Sequence, residues 1–141
     1  QTYNPEHFVI SAAKVQDFKL FYQREIGYRK ALNYPPFTRM IQLKISGKDP
    51  AKTENYARHL GERCRVLKRD GSVIYKTIDI MGPIEASLTK IAQRYRWQIL
   101  LNGLNAKALH GFINQLMFEN SVGIFRRNIQ VIIDVDPVFL M

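Results

Sequence analysis

Cysteine is almost missing from this chain: Cys64 is the single one among 141 residues. No internal disulfide can form, and a zinc site built on two or more thiolates is excluded. That usage predicts a reducing compartment, so the chain reads as soluble, cytoplasmic and without a membrane partner. No run approaches the roughly twenty uninterrupted apolar residues that cross a bilayer, and the start at Gln1 lacks the charged opening and apolar stretch of a signal peptide. A start at Gln rather than Met predicts a piece of a longer chain. The eight glycines are scattered, with neither a G-x-x-x-x-G-K-S/T loop nor a G-x-G-x-x-G turn, which leaves nucleotide binding by those motifs unsupported. Acids are scarce as well: 12 Asp plus Glu face 21 Lys plus Arg, for a formal charge of +9. Such a field draws polyanions, nucleic acid first, acidic protein tails second and anionic membrane third. What is plentiful is apolar matter. A hydrophobic fraction of 46% with eight Phe and seven Tyr suffices to close a core.

Periodicity orders the chain. Asn4-Pro5-Glu6 predicts a helix start, with Asn4 as cap and Pro5 in the first helical position, ahead of Phe8, Val9, Ala12 and Ala13. Asp17 predicts a second start, after which Phe18, Phe21, Tyr22 and Ile26 recur at helical spacing until Asn33-Tyr34-Pro35-Pro36 ends the helix. The period then changes to two. Ile41, Leu43 and Ile45 alternate with Met40, Gln42 and Lys44, the mark of a half-buried strand. Pro50 opens a helix whose Tyr56, Ala57, Leu60, Cys64 and Leu67 share a side, closed by Asp70-Gly71. Residues 73–81 predict a second strand ending at Gly82-Pro83, and residues 88–101 a third. Asn105 caps a helix carrying Leu109, Phe112, Ile113, Leu116 and Met117, and residues 129–135 form a last strand before Asp136-Pro137. The order after residue 36 is β-α-β-β-α-β. The predicted fold is α+β, a ferredoxin-like sandwich with two helices on one face of a four-stranded sheet and the other face open to a partner, preceded by a short two-helix segment.

The chain's own residues offer little catalysis. His7, His59 and His110 stand far apart with no neighbouring ligand at helical spacing, so surface or half-buried histidines are expected. Cys64 lies on an apolar helix side, which favours a packed thiol over a nucleophile. Asp134 and Asp136 share a strand face; that geometry suits a metal or general base, but pairing with nearby cations or anchoring the turn at Pro137 is the favoured role. Binding chemistry is better represented. Around residues 93–98 a period of two puts Arg94, Arg96 and Gln98 on one face, and Tyr95, Trp97, Ile99 and Leu101 on the other, with Trp97 expected in the core. With the first strand beside the third, Gln42 and Lys44 join the arginines on a cationic, amide-rich surface suited to phosphates. Lys90, Arg126 and Arg127 add to the field, as do Lys68, Arg69, Lys76 and Lys107, each alone more often a solvated charge. The expected binding is to nucleic-acid backbone, weak and salt-dependent, on the order of 10⁻⁴ to 10⁻⁶ M.

Short pieces spread along the chain carry a resemblance: residues 1–7 (Gln-Thr-Tyr-Asn-Pro-Glu-His), Asp17-Phe18 with Phe21-Tyr22, Glu25 and Arg29, Tyr34-Pro35-Pro36-Phe37, Gly82-Pro83, Tyr95-Arg96-Trp97-Gln98 and Asp134-Val135-Asp136-Pro137. In order and spacing they resemble the C-terminal region of the PriA family of primosomal replication-restart helicases. The resemblance implies that residues 1–32 are the helical tail of a second helicase lobe and residues 33–141 a C-terminal domain binding DNA and partners, with a fold similar to a ribosomal small-subunit protein. It implies that the 3′-5′ helicase and ATP hydrolase activity, with ATP, magnesium and zinc, belongs to upstream parts of a parent protein, and that this stretch holds no cofactor. Forked and single-stranded DNA, the acidic tail of single-stranded-DNA-binding protein and other primosome proteins are the implied partners. Family members with a defined tail pocket use a cation early in the last helix; here Ala106 and Ala108 flank Lys107, a point charge rather than a guanidinium fork. Two other readings suit the same residues: a free-standing RNA-binding or ribosomal-type module, and a scaffold whose charge is incidental.

Overall fold

The computed structural model describes residues 3–120 and 128–137. The chain divides into two compact units, 1–37 and 38–141.

The first unit holds α1 (Phe8–Lys14) and α2 (Phe18–Ala31). Asp17 caps α2 as its sequence position predicts, accepting from Leu20 N at 2.9 Å. The start of α1 differs. Asn4 O accepts from His7 N at 3.2 Å, so residues 4–7 close a turn of their own and the helix begins after it, with His7 Nδ1 accepting from Val9 N. Phe8 lies 5.4 Å from the ring of Tyr28 and 6.3 Å from that of Phe21, while Phe18 and Tyr22 stay exposed.

The second unit runs β1 (Arg39–Gly47), α3 (Pro50–Asp70), a 3₁₀ turn (Val73–Thr77), β2 (Asp79–Ile91), β3 (Arg94–Gly103), α4 (Ala106–Asn120) and β4 (Ile129–Val135). The strands form one antiparallel sheet in the order β2-β3-β1-β4, the ferredoxin-like arrangement. Leu43 stands opposite Ile99 and Ile133, and Lys44 opposite Gln98 and Ile132. Ile41, Leu43, Ile45, Ile99 and Leu101 face α3 and α4 and pack with Leu60, Cys64, Leu67, Leu109, Phe112 and Leu116. Trp97 packs against this core from its edge, with the Arg58 guanidinium carbon 6.0 Å from its ring. Asn105 caps α4, its Oδ1 accepting from the backbone of Lys107 and Ala108.

Three sequence expectations are corrected here. The predicted strand over 73–81 is a 3₁₀ turn up to Thr77, because three residues per turn bring Tyr75 and Ile78 to the core together while Val73 and Ile74 remain exposed. Tyr75 meets Phe112 edge-on at 5.2 Å. Gly82-Pro83 interrupts β2 rather than ending it: Gly82 sits at φ 101°, the register shifts between Met81 and Ile84, and an edge strand tolerates a proline. The expected single strand over 88–101 is the end of β2 and the start of β3, joined by Ala92 and Gln93, both left-handed (φ 47° and 58°). Two consecutive left-handed residues form the tight hairpin turn that matches strand twist.

Gly61 marks where α3 meets β2 most closely: a Cβ there would stand 2.6 Å from Pro83 Cδ, in a ring that cannot swing aside. Gly61→Ala is expected to cost about 1–3 kcal/mol by overpacking, read as a lower urea midpoint with unchanged slope. Burial pushes the Cys64 thiol up to about 12. The native thiol is expected to resist disulfide-exchange reagents that label the urea-unfolded chain. Because the folded value is the higher one, this group's contribution is complete below the unfolded pKa of about 8.5 and is lost as pH climbs toward the folded value, which an alkaline denaturation series with Cys64→Ala as reference checks.

Candidate nucleic-acid interface

The face of the sheet turned away from α3 and α4 follows from register. Met40, Gln42, Lys44 and Ser46 on β1 stand opposite Asn102, Leu100, Gln98 and Arg96 on β3, and Gln42, Lys44 and Ser46 stand opposite Asp134, Ile132 and Gln130 on β4. All therefore project to the same side. The floor of this face is tightly enclosed: Met40, Gln42, Gln98 and Asn102 are buried, and Gln42 Nε2 donates to Gln98 Oε1 at 2.6 Å. Gln42 Oε1 has no partner among the described residues. Gln98 is thus an interior amide more than an outward one.

The cations around this floor differ in availability. Lys44 Nζ lies 2.6 Å from Asp134 Oδ2, so its charge is spent within the sheet. Arg94 donates from Nε to Ser46 Oγ (3.2 Å) and from Nη2 to Ser46 O (2.8 Å), a fork that fixes the guanidinium without cancelling its charge. Arg96 is half-buried beside it. Among the described residues, no carboxylate comes within ion-pair distance of Arg94 or Arg96. Lys90, expected in the same field, is instead paired with Tyr95 and projects to the helix side of the sheet, exposed and with its ammonium 5.2 Å from the Tyr95 ring centroid. Lys107 is exposed in the first turn of α4, away from the sheet's second face. Arg126 and Arg127 lie outside the described residues.

Carboxylates tether several of the remaining charges. Arg39 pairs with Asp136 at 3.0 Å, and Asp136 also accepts from Met40 N, which anchors the end of β4. Lys68 approaches Asp79 at 3.9 Å. Arg69 binds both Asp70 oxygens at 2.8 Å, and that hydrogen bonding holds the Asp70 carboxyl below its usual range. Among the described residues, no group of three or more His, Cys, Asp or Glu is placed to hold a metal, and no helix is long and apolar enough to cross a membrane.

Sequence reasoning missed Lys48, Asn128 and Gln130, which share a polar concavity with Arg94 and Ile129 at one end of the sheet. The signal for Lys48 was the even-numbered parity of β1 carried one step into its turn. Ser46 was also passed over, since its role shows only when β3 is laid beside β1.

The chain is similar to known proteins along nearly its whole length. The family described as "Primosomal protein N C-terminal domain" matches residues 30–138. The replication restart protein PriA of Synechocystis sp. is 34% identical over 139 residues, 98% of this chain and 15% of that protein. Its counterpart in Chlamydia muridarum is 31% identical over 138 residues, 98% of this chain and 17% of that one. The Bacillus subtilis protein of the same name is 26% identical across the full chain, which covers 17% of its length. This chain thus spans less than a fifth of the relatives it matches. Among solved structures, a de novo designed protein with a ferredoxin fold superposes at a TM-score of 0.47 and 15% identity, covering 72% of this chain and 86% of that one. The match over residues 30–138 takes in every strand of the sheet and both helices that cover it, and by it the chain belongs to the primosomal protein N C-terminal domain family.

Proposed function

We propose that this chain is the C-terminal DNA-binding part of a replication-restart helicase of the PriA kind, and that the partly exposed arginine end of its second sheet face grips forked and single-stranded DNA through the phosphates. The supporting observation is the pair Arg94 and Arg96, side by side on that face with no acid partner among the described residues. Lys44, tied to Asp134, contributes less, and Lys90, paired with Tyr95, stands on the opposite side of the sheet and adds nothing to this face. In this reading residues 1–32 are the tail of the second helicase lobe, ATP, magnesium and zinc serve the rest of a cytoplasmic parent protein, and Lys107 is the contact for the acidic tail of single-stranded-DNA-binding protein. Other primosome proteins complete the set of partners.

Fluorescence anisotropy with a labelled single strand, across a salt series, tests the reading. The expected affinity is on the order of 10⁻⁴ to 10⁻⁶ M near physiological salt. Reversing both charges, Arg94→Glu with Arg96→Glu, should weaken binding by roughly tenfold or more at low salt while circular dichroism stays native. Unchanged binding in that variant favours a scaffold instead, and preferential competition by folded RNA favours a ribosomal-type module. Asp134→Asn should act in the opposite direction: it removes a negative charge from the face and releases Lys44, tightening DNA binding by roughly threefold at low salt.

A further inference from the structure

Where β1 leaves the sheet, β3 enters it and β4 begins, the surface sinks into a concavity of about 350 Å³ lined by Lys48, Arg94, Asn128, Ile129 and Gln130. Gly47 pairs with Tyr95 on one side and Ile129 on the other, so Lys48 follows directly, level with Arg94 and Asn128. Two cations and two carboxamides therefore converge from three strands, and no acid lines the space among the described residues. Like charges brought together repel, and an anion seated between them removes that repulsion. Arg94 is held in place beforehand: two of its nitrogens are bound to Ser46, and Nη1 has no hydrogen-bond partner among the described residues.

We propose that this notch seats a single backbone phosphate of a DNA strand, with Lys48 and Arg94 supplying charge, Asn128 and Gln130 supplying neutral donors, and Ser46 acting as a positioning residue for Arg94. The inference rests on the DNA-binding reading above and deepens it by naming an anchor point. Arg96 lies two residues from Arg94 on the same face, which along a strand is about 6.7 Å, comparable to the step between consecutive phosphates. A strand anchored in the notch thus meets Arg96 with its next phosphate. An extended acidic peptide carries the same sign of charge at a similar repeat, so the choice of a DNA strand here rests on the DNA-binding reading.

The test uses the whole 141-residue chain and a labelled oligothymidylate in an anisotropy salt series. Lys48→Ala should weaken binding by roughly three- to tenfold and reduce the slope of log K against log salt by about 0.7, the increment for one phosphate contact on a single strand. Lys48→Arg should restore the slope. Asn128→Ala with Gln130→Ala should weaken binding and leave the slope unchanged. In the wild-type chain, the side-chain amide signals of Asn128 and Gln130 and the Arg94 Nε signal should shift on DNA addition, a readout that stands even where a variant fails to fold. If those signals stay still, or the notch variants bind like wild type while Arg96→Glu does not, the notch is refuted and the wider surface survives. If the wild-type chain binds no DNA at low salt, both fall. If an acidic peptide moves the signals and DNA does not, the site belongs to a protein partner and the proposal is overturned.

Discussion

Everything in the larger unit depends on the pleat of β1. As an interior strand with neighbours on both sides, it cannot present the same residues to the helices and to the outside, and its side chains are sorted by parity alone. The odd positions Ile41, Leu43 and Ile45 go under α3 and α4, and the even positions Gln42, Lys44 and Ser46 go to the opposite side. Because β3 and β4 are paired to β1 in register, the same sorting is imposed on them. The aliphatic core and the arginine pair are thus two results of one constraint.

Charge on the second face is arranged rather than merely abundant. Lys44 is matched to Asp134, and Arg39 to Asp136, both along the β1–β4 seam. The guanidinium of Arg94 instead takes backbone and hydroxyl acceptors from Ser46 and keeps its full charge. Among the described residues, the cations without an acid partner therefore stand toward β3 and the paired ones along the seam with β4, a gradient of unpaired charge across the face. A net charge of +9 alone gives no hint of this gradient.

Much of this was readable in advance where one local rule acted without competition. The alternation in β1 and around Arg94 and Arg96 admitted one assignment of faces, and Asp17 and Asn105 are capping residues at helix starts with no rival nearby. Reading failed where local signals were silent or mixed. Ala92 and Gln93 carry none of the residue types associated with left-handed turns, and no Gly, Pro, Asn or Asp breaks the sequence between Leu88 and Leu101. Val73 and Ile74 favour strand by type, but contact with the core selects Tyr75 and Ile78, three residues apart. In the site, the faces of Arg94 and Arg96 followed from spacing, while the tie between Lys44 and Asp134 and the company of Lys48 required three strands to be aligned at once.

The buried pair of Gln42 and Gln98 has a bearing on how the sheet assembles. Two primary amides bonded at 2.6 Å across β1 and β3 sit away from the hydrocarbon layer. A slip of β1 by one position would drive Gln42 and Lys44 into that layer and strand Leu43 outside, a penalty of several desolvated polar groups. The amides thus act as a keyed joint: among the ways two apolar strands can slide past each other, they single out the alignment in which the guanidinium groups emerge together.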